Sequence, residues 1–114
     1  MSNKVIFILD NDKDFTNLYS RLLQTKGWQV FATDNIFLLL NYAKTAKPRW
    51  VFIDEDLAKQ QEKNIAKLIN NALPFNATNY AIMSQHIEHK NRTDVEGIEF
   101  IYKPNFLQKV IQIS

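Results

Sequence analysis

Five short apolar runs, each too short to be a core helix, alternate along this chain with segments whose apolar residues recur at helical spacing. Val5 to Leu9, Trp50 to Ile53 and Tyr80 to Met83 are almost wholly aliphatic or aromatic. Runs of that kind are expected of strands buried on both faces, which is the situation in a parallel sheet. Gln29 to Ala32 and Phe100 to Tyr102 read as two further strands.

Between them, Phe15, Leu18, Leu22 and Leu23 form a stripe that Asn11 or Asp12 can cap and Gly27 can end. Ile36, Phe37, Leu39, Leu40 and Ala43 form a second, with Asp34 as its expected cap and an end before Pro48. A polar stretch from Glu55 to Lys63 leads to a third stripe at Ile65, Leu68, Ile69 and Ala72, stopping at Pro74. His86 to Val95 is polar and at best a small helix, whose end Gly97 marks, while Phe106, Leu107, Val110 and Ile111 suit a brief last one. The alternation predicts an α/β fold: a three-layer α-β-α sandwich around a five-stranded parallel sheet. At 114 residues the chain, 1–114, is expected to be a single domain.

Composition narrows the function classes. A formal charge of +2, with no dense basic run, gives no footprint for nucleic acid. The absence of cysteine removes disulfides and thiolate metal sites and suits a reducing compartment. No apolar run approaches the roughly 20 residues of a membrane helix. Val5 to Leu9, ended by Asp10, is too short for the core of a signal peptide. A cytoplasmic domain is the expectation. The sequons at Asn76 and Asn91 therefore carry no weight. His86, Glu88 and His89 could in principle share a metal, but a solvated loop is the plainer reading.

Four of the strands end in polar groups of complementary chemistry. Asp10, Asn11 and Asp12 follow the first, Asp54 the third, Ser84 the fourth and Lys103 the fifth. In open α/β sheets ligands sit outside the carboxyl ends of the strands, where the strand order reverses. The rule gathers Asp10, Asn11, Asp54, Ser84 and Lys103 on one rim. Each has a simpler role available: a helix cap for the first trio, a structural ion pair for Lys103 and Asp54, core packing for Phe100.

On these motifs and their spacing, 44 residues from Asp10 to Asp54 and 30 from Asp54 to Ser84, the chain resembles the receiver domain of two-component response regulators over its whole length. The resemblance implies that Asp54 accepts a phosphoryl group from the phosphohistidine of a histidine kinase or phosphotransfer protein, or from a small phosphodonor. It implies a magnesium ion held by Asp10, Asn11, Asp54 and the backbone carbonyl of Asp56. It makes Lys103 a counter-charge to the phosphoryl group, Ser84 its hydrogen-bond donor and Phe100 the aromatic switch that follows Ser84 inward. It also implies a doubly wound sheet in the flavodoxin-like order 2-1-3-4-5, a cis bond between Lys103 and Pro104, and a downstream protein partner. At most, any catalysis would be self-phosphorylation and dephosphorylation at Asp54.

The chain departs from the family's pattern at Asn11, where a second carboxylate is usual, at Gln85, at Ala58, where a proline is common, in the glycine missing a few residues later, and in the 19 residues from Ser84 to Lys103. These departures suit the alternative, a degenerate receiver that binds a protein partner without phosphorylation.

Overall fold

The computed structural model describes residues 4–60, 78–89 and 98–114. The elements in chain order are β1 (Val5–Leu9), α1 (Lys13–Thr25), β2 (Gln29–Thr33), α2 (Ile36–Ala46), β3 (Trp50–Asp54), α3 (Glu55–Gln60), β4 (Asn79–Ser84), a 3₁₀ turn (Ile87–His89), β5 (Ile98–Tyr102), a second 3₁₀ turn (Lys103–Asn105) and α4 (Phe106–Ile113). The strands form one sheet in the order β2-β1-β3-β4-β5, parallel at every pairing. This is the doubly wound, flavodoxin-like topology expected from the sequence.

Side chains alternate across the sheet, so each strand feeds two cores. Phe7, Leu9, Val51, Ile53, Tyr80, Ile82, Ile98 and Phe100 pack with Ile36, Leu39, Leu40 and Ala43 of α2 and with Leu57 of α3. Ile6, Ile8, Phe52, Ala81 and Met83 pack on the other face with Leu23 of α1 and with Phe106 and Val110 of α4. Both faces are covered, which is why these strands read as unbroken apolar runs instead of alternating ones.

The helices start and stop for local reasons, some different from those expected. Asp12 caps α1 by accepting the N–H of Phe15 at 3.1 Å, and Gly27 takes the left-handed φ of +90° that lets the chain leave the helix. In α2 the cap is Asn35, not Asp34: its Oδ1 accepts from Phe37 and Leu38. Lys47, at φ 50°, turns the chain before Pro48. Four expected core residues face outward: Leu18 is 61% exposed, Phe37 71%, Leu107 46% and Ile111 61%. Helix α1 inserts Phe15, Tyr19, Leu22 and Leu23, α2 inserts Ile36, Leu39, Leu40 and Ala43, and α4 inserts Phe106, Val110 and Ile113. At 100° per residue these rows cannot also take in the other four.

Helix α3 begins at Glu55, immediately after β3, where a polar loop was expected. The apolar stripe at Ile65, Leu68, Ile69 and Ala72, the sequon asparagines Asn76 and Asn91, and Gly97 lie outside the described residues. No described helix is long and apolar enough to cross a membrane.

Candidate functional site

Register decides which side chains share the rim. Leu9 pairs with Ile53, Ile53 with Ile82 and Ile82 with Phe100, so these four residues form one row across the sheet. One step toward the carboxyl ends lie Asp10 and Asp54; two steps along β4 lies Ser84, paired with Tyr102, and Lys103 follows. The strand-end residues singled out in the sequence therefore come from four elements to one edge.

Three of them form a closed charge cluster. The Lys103 ammonium lies 2.7 Å from Asp10 Oδ2 and 3.3 Å from Asp54 Oδ1, bridging β1 and β3 from the end of β5. All three residues are buried. Among the described residues the partner of Asp10 Oδ2 is that ammonium. The Phe15 ring lies under the same ammonium, 4.5 Å from Nζ to the ring centre, adding a cation–π contact.

The other carboxylate oxygens are held by backbone. Asp10 Oδ1 accepts the N–H of Asp12 at 2.9 Å, and Asp54 Oδ2 accepts those of Asp56 and Leu57 at 3.2 and 3.3 Å. Lys103 reaches the site through a trans bond to Pro104, since no described peptide bond is cis. Pro104 sits in the first turn of the 3₁₀ segment, where its fixed φ fits and no N–H is required of it.

Burial pushes the Asp54 carboxyl above the ordinary aspartate value, and the charge of Asp10 adds to the effect; Lys103 and the Leu57 amide offset it only in part. Burial would lower the Lys103 ammonium, but the hydrogen bond and charge of Asp10, together with Asp54, outweigh it and raise it.

A stability prediction follows from Asp54. Its folded-state pKa lies above the unfolded value of 3.8, so its contribution is favourable below 3.8 and is lost as pH rises through the folded value. Ionised Asp54 thus costs stability at pH 7. Asp54→Asn, whose amide oxygen can still accept from Asp56 and Leu57, is expected to melt a few degrees above wild type at pH 7. The gap should close as pH falls toward 3.8. A lower melting point at pH 7 would mean that attraction to Lys103 exceeds the cost of burial.

Ser84 lies wholly buried in a second polar cluster beside the first. Its hydroxyl donates to Glu55 Oε1 at 2.9 Å and accepts the N–H of His86 at 3.0 Å. His89 Nδ1 lies 2.9 Å from Glu55 Oε2 and 3.2 Å from Ser84 Oγ. Burial acts to raise the Glu55 carboxyl, but the bonds from Ser84 and His89 and the charges of Lys59 and His89 hold it below its ordinary value.

Glu55 and His89 were not legible as site residues. Glu55 read as the start of a polar loop, and His89 as one of a solvated pair with His86. Only His86 and Glu88 behave that way, as an exposed contact at 3.7 Å. The adjacency of Glu55 to Asp54 was the one available signal.

The remaining expected residues are placed as follows. Asn11 and Asp56 are exposed at the rim. Phe100 is buried in the sheet core on the α2 and α3 face. Among the described residues no group of three or more His, Cys, Asp or Glu side chains is arranged to hold a metal ion. The oxygens available are the carboxylates of Asp10 and Asp54, the Asn11 amide and the Asp56 carbonyl. All are hard donors of the kind magnesium takes, so the donor chemistry fits that ion, with Lys103 now occupying the space between the two acids. Compared with known proteins, the chain matches no family model and no curated protein.

Proposed function

We propose that the domain is a phosphoacceptor receiver in two-component signalling, with Asp54 as the acceptor. The observation that carries this reading is the Lys103 ammonium set between two buried carboxylates at the carboxyl ends of β1 and β3. A purely structural ion pair would need only one acid. A cluster of two acids and one lysine at a topological switch point matches the charge of an incoming phosphoryl group and its cation.

Asp54 attacks phosphorus through a carboxylate oxygen. A P–O bond forms to Asp54 while the bond from phosphorus to the donor breaks, and the donor (a kinase imidazole or a small carboxylate) leaves with the electron pair. Raised basicity makes Asp54 the better nucleophile of an ordinary and a perturbed aspartate. Lys103, fixed over Phe15, moves from sharing Asp10 to pairing with the phosphoryl oxygens. Asp10, Asn11, Asp54 and the Asp56 carbonyl would hold magnesium, which would neutralise charge on the transferring oxygens. Ser84 would donate its hydroxyl to the phosphorylated state, with Phe100 as the aromatic residue that responds. On this reading the domain works in the cytoplasm with a histidine kinase or phosphotransfer protein upstream and a protein target downstream.

Intact mass after incubation with acetyl phosphate and magnesium tests the proposal. A single phosphoryl adduct is expected on wild type and none on Asp54→Ala. One observation favours the degenerate reading: Ser84 already spends its hydroxyl proton on Glu55. If folded wild type takes no adduct while a control receiver in the same buffer does, a phosphorylation-independent interaction module is the better account.

A further inference from the structure

A serine hydroxyl has one proton to donate. Among the described residues Ser84 has two oxygen acceptors within reach, Glu55 Oε1 at 2.9 Å and the His86 carbonyl at 3.4 Å; His89 Nδ1, at 3.2 Å, also faces the Glu55 carboxylate and so bears a proton instead of accepting one. The shorter contact is to a carboxylate, and charge-assisted bonds are roughly twice as strong as neutral ones. Glu55 therefore takes the proton. The Ser84 lone pairs are also engaged, since the His86 N–H donates to them at 3.0 Å.

Glu55 is itself held from two further sides. His89 Nδ1 lies 3.0 and 2.9 Å from its two carboxylate oxygens, and Lys59 Nζ lies 3.8 Å from Oε1. Glu55 is buried, whereas the Lys59 side chain is 60% exposed and contributes little. The arrangement is not a nucleophile triad. Both Glu55 and Ser84 meet the same imidazole nitrogen, so His89 could not take a proton from Ser84 at one nitrogen while Glu55 orients the other.

We propose that Glu55, braced by His89, is an autoinhibitory latch on Ser84: it must release the Ser84 hydroxyl before that hydroxyl can serve a phosphoryl group on Asp54. The proposal rests on the receiver reading of Asp54 and adds to it a restraint supplied by the residue next to the acceptor. Phosphoryl affinity is then lowered by the fraction of molecules in which the latch is open.

Beryllium fluoride with magnesium, a mimic of the aspartyl phosphate, tests the latch by calorimetric titration of wild type, Glu55→Ala, Glu55→Gln, Ser84→Ala and the Glu55→Ala/Ser84→Ala double variant. Glu55→Ala is expected to tighten binding about tenfold, the loss of one hydrogen bond to a charged group. The gain should vanish when Ser84 is also replaced. Glu55→Gln keeps the volume and a neutral acceptor, so it should tighten binding about threefold and carries the test if the alanine variant does not fold.

Binding by Glu55→Ala where wild type shows none would also support the latch. Equal tightening with and without Ser84 would reduce the effect to charge removal and overturn the latch, as would wild-type binding that Glu55 variants leave unchanged. Both of those results leave the receiver reading standing. Failure of every folded variant, Glu55→Ala included, to bind the mimic would overturn that reading and the latch together.

Discussion

Replacing Lys103 with methionine is expected to remove about 3–5 kcal/mol of stability at pH 7, the usual cost of deleting one partner from a buried ion pair. Domains of this size have about 5–15 kcal/mol in total, so the loss corresponds to a fall in melting temperature on the order of 10–20 °C. Methionine keeps the apolar stem over Phe15 and takes away only the ammonium. What remains is a pair of carboxylates, Asp10 and Asp54, whose nearest cation is gone. The lost interaction is therefore worth more than a surface pair, because neither acid can turn to water for compensation.

The pH dependence identifies the cause. The folded Lys103 pKa lies above the ordinary 10.5, so its contribution is fully present below 10.5 and is lost only as pH rises through the higher folded value. The difference between wild type and Lys103→Met should accordingly be flat from neutrality to about pH 10. It should shrink in acid, where Asp54, raised above 3.8, takes up its proton and no longer needs the ammonium. Adding Asp54→Asn to Lys103→Met should restore part of the loss at pH 7, since one of the two stranded charges is removed. Urea melts of the four proteins measure all of this as one double-mutant cycle. A loss under about 1 kcal/mol for Lys103→Met, the range of exposed pairs, would show that the cluster is solvated and would weaken the case for a poised phosphoryl site.

The site was partly readable in the sequence because its key groups sit at strand ends. A strand's last residue is fixed by where an apolar run stops, and a parallel order turns four such stops into one rim. Asp10, Asp54, Ser84 and Lys103 needed no more than that. Glu55 and His89 depended on information of another kind. Whether His89 turns inward is set by a 3₁₀ turn of three residues, and such turns leave no periodic signature. The same limit applies to the caps: Asp34 and Asn35 are chemically alike, and only the register of the first turn selects Asn35. Leu18 and Phe37 mislead because a stripe of apolar letters is wider than the face a helix can bury. The expected cis bond at Lys103 was an inference from likeness. The structure reaches the same lysine position through a trans bond and a short turn.

Phe106 ties the core to the site, and its truncation carries the second large effect. The ring is fully buried and meets Phe15, Tyr19 and Phe52 at centroid distances of 5.2, 4.7 and 4.9 Å, the last two edge-on. Phe106→Ala should cost about 3–5 kcal/mol, the transfer free energy of the ring plus the cavity it leaves. Backbone loss is not part of that figure, because the Phe106 N–H that bonds the Lys103 carbonyl survives in alanine. The consequence for the rim runs through Phe15. That ring packs on Phe106 and also meets the Lys103 ammonium. With Phe106 gone, Phe15 can relax into the cavity, and the ammonium loses its fixed seat between Asp10 and Asp54. Lys103→Met should then cost less in the Phe106→Ala background than in wild type, by about 0.5–3 kcal/mol of coupling. Strict additivity of the two substitutions would mean that the carboxylates alone hold Lys103 in place, and that the aromatic cluster serves the core without serving the site.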